Sequence, residues 1–329
     1  MFNSKKSSDI RKILIFRLGA IGDIVHTTAL YRSLKKHNPH LSIQYLTGIV
    51  PSLLINNDPD LDQVWIAEQK SYKYLSKLAK KLKKEEFDLF INLQPSIRTK
   101  IFSYLIKAKK NLTYKKTFKL HAVENFWITA KPLFKDSEID KEITIYIPDE
   151  IREKTADLIS ENTIGLNIGA NNARQGRKWP IEHWKELTKE LIDKYDYKIV
   201  LTGSAEDEKL AKELLSISSD ISSFCGKLSI LESAAILSKC KFVVSGDTGP
   251  LHIATAVGTP VIGLYGSMPI KRTGPYGSNH HTIASDRECV PCNRRKCGFT
   301  KKKEQNTPCM EDITPEKVLN IIKNNFDNN

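Results

Sequence analysis

The chain has 329 residues with 40% hydrophobic and 27% charged residues, which suits two globular domains that each bury their own core. No apolar run approaches the length of about 18 residues that predicts a transmembrane helix. The polar, basic start and the short apolar run ILIF exclude a signal peptide, so the protein is expected in the cytoplasm. Its net charge is +13, and residues 1–150 carry 26 Lys and Arg against 16 Asp and Glu. This excess favours an anionic partner or membrane surface, although a solvated lysine-rich surface explains it equally.

Buried strands alternate with helices through the first half of the chain. KILIFRL at 12–18 is typical of a strand, and a glycine loop then leads into a helix that Asn38-Pro39 ends. SIQYLTG and VWIA are the next predicted strands, a basic amphipathic helix covers 70–84, and FDLFINLQ is a fourth strand. This rhythm predicts a parallel sheet with helices on both faces. The alternation of strands and helices is less clear between residues 98 and 140.

The rhythm resumes in the second half, after a predicted domain boundary at Pro148. TIGLNIGA, YKIVLTG, KFVVSGD and PVIGLYG are predicted strands with helices between them, and PVIGLYG is expected to be the last. Trp179-Pro180 opens one helix, and Thr314 caps the final helix with Pro315 in its first turn. The fold class is therefore predicted as α/β, with two Rossmann-like units facing each other and ligands at the carboxyl ends of the strands.

The first candidate site is the loop in FRLGAIGDIVH. Gly19 and Gly22 lack the GxGxxG spacing of dinucleotide enzymes, but a glycine turn still lets the backbone approach a ligand. Asp23 stands where the helix begins. It either caps that helix or takes a proton from a sugar hydroxyl, and the loop alone leaves both open. His26 is interpreted as a packing or polar contact rather than a base.

Three further motifs in the second half suit an anionic ligand. In GDTGPLHIATAVG, a strand leads through a glycine turn into a helix, and the N–H groups at the start of that helix suit a phosphate. The alternative is a turn without a ligand, in which the aspartate caps the helix; this also accounts for the glycines. In ARQGRKWP, basic side chains crowd a helix start and suit a diphosphate or simply solvent. In LTGSAEDE, a carboxylate at a strand end holds a ribose or caps the helix. The residues concerned are Asp247, Thr248, Gly249, Pro250, His252, Arg174, Arg177, Lys178 and Glu206.

Two other clusters stand out. Residues 98–119 hold eight Lys and Arg and no acid, including Lys109, Lys110, Lys115 and Lys116. Because no nucleic-acid motif is present, an anionic glycolipid acceptor or the membrane surface is preferred to nucleic acid. Cys289, Cys292, Cys297 and Cys309 follow the pattern C-x2-C-x4-C-x11-C. Four thiolates in this pattern suit a structural zinc, but the spacing is not that of a regular zinc ribbon. A reduced, metal-free cluster is therefore expected, with zinc and redox disulfides as the alternatives.

Taken together, FRLGAIGDIVHTTALYRSLKK, RKWP, GDTGPLHIATAVGTPVIGLYG and the ending CVPCNRRKC with DITPEKV resemble glycosyltransferase family 9, which contains the ADP-heptose:lipopolysaccharide heptosyltransferases. The resemblance covers about residues 11–320, in the right order. It implies a GT-B fold and an inverting transfer of heptose, from ADP-heptose onto a lipopolysaccharide core acceptor. It implies that no metal or other cofactor is required beyond the nucleotide sugar, and that the protein contacts the inner membrane peripherally.

The resemblance also implies roles for the matching residues. Asp23 would be the general base, Lys178 would contact the donor phosphates, and Glu206 would bind the ribose. Asp247, Thr248 and Gly249, with Pro250 and His252 beside them, would hold the donor. Residues 1–148 would form the acceptor-side domain, 149–312 the donor-binding domain, and 313–329 a helix packing back on the N-terminal domain.

Alternatives from other classes remain open at this point. One is a family member that uses another nucleotide sugar for a different surface glycan. A second is a UDP-sugar epimerase of the same architecture, which should carry additional carboxylates and histidines near its cleft. A third is a nucleotide- or polyanion-binding protein without enzymatic activity.

Overall fold

In the computed structural model, the placement of the chain is described for residues 10–69, 71–133, 141–169, 174–300 and 306–327. The protein divides into two compact units between Tyr146 and Ile147, close to the boundary expected at Pro148. We call them the first and the second unit. None of the helices in the described ranges is long and apolar enough to cross a membrane.

The first unit is built on a parallel sheet of five strands. The strands are β1 (Lys12–Phe16), β2 (Ser42–Gly48), β3 (Gln63–Ala67), β4 (Leu89–Asn92) and β5 (Lys110–Thr113). The helices are α1 (Ile21–His37), α2 (Ile49–Ile55), α3 (Tyr72–Lys83), α4 (Ile97–Ile106) and α5 (Ala122–Ala130). The strand order is β3-β2-β1-β4-β5, so β1 lies in the middle, and the loop after it is flanked by the ends of β2 and β4.

Helices cover the central strands, which explains why β1 and β4 are nearly continuous apolar runs. Phe16 of β1, Phe90 of β4 and Phe102 of α4 form one aromatic group, with ring centroids 5.4 to 6.2 Å apart. Leu75 and Leu82 of α3 belong to the same buried core. Helices α3 and α4 are therefore held against one face of the sheet.

The weak rhythm between 98 and 140 conceals α4, β5 and α5. In α4 the inner residues Phe102 and Ile106 are buried, while Ile97, Ile101 and Tyr104 are exposed on another side. Apolar residues therefore surround the helix, and the periodicity that signals one buried face is lost. Strand β5 lies at the edge of the sheet and buries no residue fully, so it lacks an apolar run.

The second unit contains a parallel sheet of six strands. The strands are β6 (Thr163–Asn167), β7 (Lys198–Thr202), β8 (Ile221–Ser223), β9 (Val243–Gly246), β10 (Val261–Tyr265) and β11 (His281–Ala284). The helices are α6 (Asp149–Lys154), α7 (Ile181–Tyr195), α8 (Glu208–Leu215), α9 (Ile230–Lys239), α10 (Gly249–Ala256), α11 (Ile270–Thr273), α12 (Pro308–Glu311) and α13 (Pro315–Asn325). The order is β11-β10-β9-β6-β7-β8. The expectation that PVIGLYG is the last strand is therefore wrong, because β11 follows it and pairs with β10.

The final helix, α13, contributes to the core of the second unit. Its buried residues Val318 and Ile322 lie in one cluster with Trp184 and Leu187 of α7. The spacing of four residues puts both buried side chains on one side of the helix. The expected packing of this helix on the N-terminal domain stays a prediction.

A capping box opens α9. Ser229 Oγ accepts a hydrogen bond from the backbone N–H of Glu232 at 3.2 Å, and the Glu232 carboxylate accepts one from the N–H of Ser229 at 2.7 Å. Lys154 forms an ion pair with the same carboxylate at 2.5 Å. The hydrogen bond from Lys154, followed by those from Ser229, lowers the pKa of Glu232 to about 2.

We expect Glu232→Gln to destabilise the protein by about 2 kcal/mol at neutral pH, a figure discounted because the Lys154 side chain is largely exposed. A carboxyl group whose pKa is depressed by folding stabilises the protein above its unfolded pKa and loses that effect as the pH falls. The difference from wild type should therefore shrink between about pH 5 and pH 2. Urea unfolding at several pH values measures it, and a difference that stays constant with pH would contradict the assignment.

Candidate functional site

The loop between β1 and α1 presents Asp23 at the carboxyl edge of the first sheet. Gly19 adopts a φ of +146°, a conformation that other residues rarely reach, so the turn requires glycine. Asp23 lies in the first turn of α1, and its Oδ2 accepts a hydrogen bond from the N–H of Ala20 at 3.2 Å. The carboxylate thus stabilises the helix start.

Arg17, which the sequence patterns did not single out, orients this carboxylate. Its guanidinium donates to Asp23 Oδ2 and to the carbonyls of Gly19 and Leu93, and it lies 5.2 Å from the ring centre of Phe126. The cap and the ion pair both use Oδ2. Oδ1 of Asp23 accepts no hydrogen bond from any residue that the structure describes. One carboxylate oxygen therefore fixes the loop, while the other is available to a substrate proton.

His26 lies one turn further along α1. Its side chain is buried, and its ring centre is 5.1 Å from that of His121, which caps α5. This position makes His26 a packing and polar contact inside the first unit.

The structure does not bring the four candidate lysines of the basic segment together. Lys109 and Lys110 lie at the amino end of β5, where Lys109 Nζ bonds to Asp88 Oδ1 at 2.7 Å. Asp88 precedes β4 and also accepts from the backbone N–H of Lys12, at the start of β1. Because the strands are parallel, this pair of lysines lies at the sheet edge opposite to Asp23.

Lys115 and Lys116 lie beyond the carboxyl end of β5, on the Asp23 edge of the sheet. Asn125 of α5 bonds to the carbonyl of Lys115 and to the N–H of Thr117, which fixes this loop. The adjacent Tyr114 packs on Phe126, with ring centroids 4.8 Å apart, and Phe126 in turn contacts Arg17. A continuous set of contacts therefore links the Lys115–Lys116 loop to Asp23.

In the second unit, the loop of residues 174–178, which we call the basic loop, packs closely on the ends of strands β9 and β10. A Cβ atom on Gly246, at the end of β9, would meet the carbonyl of Arg177 at 2.6 Å. A Cβ on Gly176 would meet Ser267 at 2.7 Å, and one on Gly266 would meet the Gly176 carbonyl at 2.6 Å. Glycine at these positions allows the Gly176–Arg177 segment to approach the carboxyl edge of the sheet.

Asp247 is buried beneath this loop, with 2% of its surface exposed. Its carboxylate forms an ion pair with Arg177 at 2.7 Å and lies 3.5 Å from Nε2 of His252. The structure therefore brings Asp247 and His252 together, as the motif suggested, and adds Arg177. The deeply buried carboxylate of Asp247 thus holds the guanidinium of Arg177 in place.

Helix α10 begins directly after Asp247, with Thr248 as its N-cap residue. The Thr248 side chain makes no cap hydrogen bond; its hydroxyl accepts instead from Asn167 Nδ2 at 2.9 Å. Asn167 Nδ2 also donates to Ser245 Oγ at 2.8 Å. Gly249 and Pro250 form the half-buried start of the helix. The N–H groups of this first turn thus have no side-chain cap and can bind an anion.

Lys178 and Glu206 line one cavity of about 300 Å³ in the second unit, together with Ile168, Asp207, Lys209, Leu210 and Glu213. The neighbouring Asp207 accepts from the N–H of Ser204 at 2.8 Å and from its hydroxyl at 2.7 Å. Asp207 is therefore the residue that caps the turn. The expected ligand residues Lys178 and Glu206 are brought together, although they are 28 positions apart in the chain.

Positive charge accumulates around the basic loop. Arg174 donates to the carbonyl of Asn293 at 2.9 Å. Burial, then the charges of Arg177 and Arg295, lower the pKa of Arg174, and Asp247 acts in the opposite direction. Even so, a guanidinium stays charged at neutral pH. A compact positive cluster of this kind is suited to a diphosphate.

The segment that carries three of the four clustered cysteines contacts this basic loop. Gln175 accepts a hydrogen bond from the N–H of Cys297 at 2.8 Å and donates its own N–H to the carbonyl of Arg295 at 3.2 Å. Cys289 is exposed, Cys292 and Cys297 are half-buried, and burial raises the pKa of the Cys309 thiol. The residues described include no group of three or more His, Cys, Asp or Glu arranged to hold a metal ion. The metal-free cluster stays a prediction, which metal analysis of protein purified without chelator tests.

Two units, each built on a parallel sheet, and the likeness to solved heptosyltransferase structures define the GT-B fold. The model for glycosyltransferase family 9 (heptosyltransferase) matches residues 75–303. The chain therefore belongs to glycosyltransferase family 9, and it is a glycosyltransferase.

Known relatives agree with this family. The lipopolysaccharide core heptosyltransferase OpsX of Haemophilus influenzae is 25% identical, over 95% of this chain and 96% of that protein. Among solved structures, a family 9 glycosyltransferase from Veillonella parvula has a TM-score of 0.81 at 21% identity, covering 95% of this chain and 96% of that one. The ADP-heptose LPS heptosyltransferase II of E. coli has a TM-score of 0.76 at 20% identity, covering 95% and 98%.

Proposed function

We propose that the protein transfers a heptose from ADP-heptose onto a lipopolysaccharide core acceptor, with inversion at the anomeric carbon. The observation that carries this proposal is the positive cluster around the uncapped start of α10, where Arg177 is held by buried Asp247. Such a site suits the diphosphate of a nucleotide sugar. The donor and acceptor classes are supported by what the OpsX and heptosyltransferase II names state of those proteins.

In the proposed reaction, Oδ1 of Asp23 takes the proton from the acceptor hydroxyl. The hydroxyl oxygen forms a bond to the anomeric carbon of the heptose, and the bond from that carbon to the diphosphate oxygen breaks. The departing ADP keeps the electron pair of the broken bond. Lys178 and the N–H groups at the start of α10 stabilise its charge, and Glu206 binds the ribose. We propose that these groups suffice without a metal or another cofactor.

The acceptor is proposed to be an anionic glycolipid that the enzyme meets at the inner face of the cytoplasmic membrane. The basic segment supports this, because its lysines contact phosphates as point charges and none of its residues is acidic. Nucleic acid is not proposed as a partner.

A panel of donors tests the proposed activity. Purified protein is mixed with ADP-heptose or with UDP-, GDP- and CDP-sugars, and its melting temperature is measured in each case. We expect only ADP-heptose to stabilise it clearly, by mass action on the folded state. The product made on a lipopolysaccharide core acceptor should show the inverted anomeric configuration by NMR. Stabilisation by a different nucleotide sugar, with transfer from it, would replace the donor that we propose.

The lysines of the basic segment lie at two opposite edges of the sheet, so their role in binding the acceptor can be tested one pair at a time. Lys115→Ala with Lys116→Ala should raise the apparent KM for a phosphorylated acceptor by about tenfold at low salt, and less at physiological salt, because exposed charges are screened. Lys109→Ala with Lys110→Ala is the matched control, since it removes the same charge from the opposite sheet edge. Donor affinity should not change in either variant. Equal acceptor KM values for the two variants at low salt would contradict a specific role for Lys115 and Lys116.

A further inference from the structure

Helix α4 exposes three large apolar side chains in one stripe. Ile97 is 79% exposed, Tyr104 is 78% exposed and Ile101 is 45% exposed. Spacings of four and three residues align these side chains along one side of a helix. The opposite side, with Phe102 and Ile106, is buried against the sheet. We call the exposed stripe the α4 face.

The α4 face is extended by a further aromatic residue. Tyr72, at the start of α3, is 52% exposed, and Arg98 of α4 stacks 5.2 Å from its ring centre. Single exposed apolar residues are common on protein surfaces and need no explanation. Several of them aligned on one helix, with an aromatic neighbour, are instead typical of an interaction site.

The surroundings of the α4 face are strongly basic. Between residues 89 and 123 the chain has eight Lys and Arg and neither Asp nor Glu. Lys100 and Lys107 are exposed and, by helical geometry, flank the stripe on one side. An apolar stripe bordered by positive charge matches the surface of a bilayer that contains anionic lipids, where apolar side chains enter the headgroup region and lysines bind the phosphates.

The α4 face is also tied directly to the Asp23 loop. The residues that lead into α4 bond to the end of β1: Gln94 accepts from the N–H of Leu18 at 2.9 Å, and Leu93 accepts from Arg17. Strands β1 and β4 are neighbours, so α4 starts from the same sheet edge as the loop. A surface that binds α4 would therefore hold the proposed base at a fixed distance from it.

We propose that the α4 face is a membrane-docking surface that seats the first unit on an anionic bilayer. The inference rests on the proposed function, because it deepens the membrane contact of an enzyme with a glycolipid acceptor. Ile97, Ile101 and Tyr104 enter the interface, and the basic residues around them bind lipid phosphates. Docking brings the acceptor to Asp23 by confining both to one surface.

Vesicle binding tests the proposal without donor or acceptor. The full-length protein and the variant Ile97→Ser/Ile101→Ser/Tyr104→Ser are sedimented with vesicles of phosphatidylglycerol and phosphatidylethanolamine, and with phosphatidylcholine alone. The matched control is Leu158→Ser/Leu215→Ser, which removes two exposed leucines of the second unit. We expect the α4 variant to bind the anionic vesicles at least about tenfold more weakly than wild type. The control should bind like wild type, and all proteins should bind phosphatidylcholine poorly. Because the substituted residues are exposed, the substitutions should leave the melting temperature nearly unchanged.

Other occupants of the α4 face give different results. Transfer to a soluble, deacylated acceptor should be unaffected in the α4 variant; a loss there would show that the face binds the acceptor itself. A dimer of the wild type in analytical ultracentrifugation that the variant abolishes would assign the face to a second copy. Either of these two results would overturn the proposal. So would a wild-type protein that does not bind anionic vesicles, or an α4 variant that binds them as well as the wild type. Because vesicle binding needs no donor, it fails or succeeds independently of heptose transfer.

Discussion

Asp23→Asn is expected to lower turnover by at least about a hundredfold while donor binding is retained, which is the usual scale of general base catalysis. The amide has nearly the shape of the carboxylate but cannot accept the acceptor's proton. Its oxygen can still accept from the N–H of Ala20, so the start of α1 should persist. Initial rates at saturating ADP-heptose measure the loss of turnover, and calorimetry measures the donor affinity.

This substitution separates the two roles that the sequence left open for Asp23. A cap needs only an oxygen acceptor, whereas a base needs the carboxylate. The melting temperature of the variant provides the control for the cap. Turnover near the wild-type value, with the melting temperature preserved, would reduce Asp23 to a capping residue that the ion pair with Arg17 holds in place.

Local patterns were sufficient to predict the elements that position the sites. Helix α7 begins where the sequence indicated, because Pro180 precedes an amphipathic run that buries Trp184, Leu187 and Leu191. The strands β2 and β6 were visible as apolar runs because helices cover both faces of their sheets. The Ser229-x-x-Glu232 capping box is the sequence signal that marks the start of α9.

What the sequence could not provide was contact between residues far apart in the chain. Arg17 follows β1 and has no motif of its own, and its bond to the carbonyl of Leu93 forms only when β1 and β4 pair. The ion pair between Arg177 and Asp247 joins residues 70 positions apart. The separation of Lys109 from Lys115 depends on β5, an edge strand without an apolar run. The composition shows that the segment is basic. Only the position of β5 shows that its lysines lie at two opposite edges of the sheet.

The donor site should respond differently to two substitutions, although the motifs suggested one role for both residues. Lys178 is exposed and lines the cavity with Glu206, so Lys178→Ala should weaken ADP-heptose binding by about tenfold or more and leave stability unchanged. Asp247 is buried against Arg177, so Asp247→Ala should weaken donor binding and also destabilise the fold by about 2 kcal/mol. We expect a smaller destabilisation than for the loss of one partner of a fully buried ion pair, because part of Arg177 is exposed.

Calorimetry with ADP-heptose and urea unfolding of the same preparations measure both effects. Lys194→Ala is the matched control for Lys178, because Lys194 is an exposed lysine of the second unit that pairs with Glu190 away from the cavity. Asp247→Asn, which keeps the side-chain volume, serves if the alanine variant does not fold. An anion site built on Arg177 requires Asp247 to hold the guanidinium, so loss of the carboxylate should reduce donor affinity even where folding is intact. Unchanged donor affinity in folded Asp247 and Lys178 variants would move the donor away from the α10 turn.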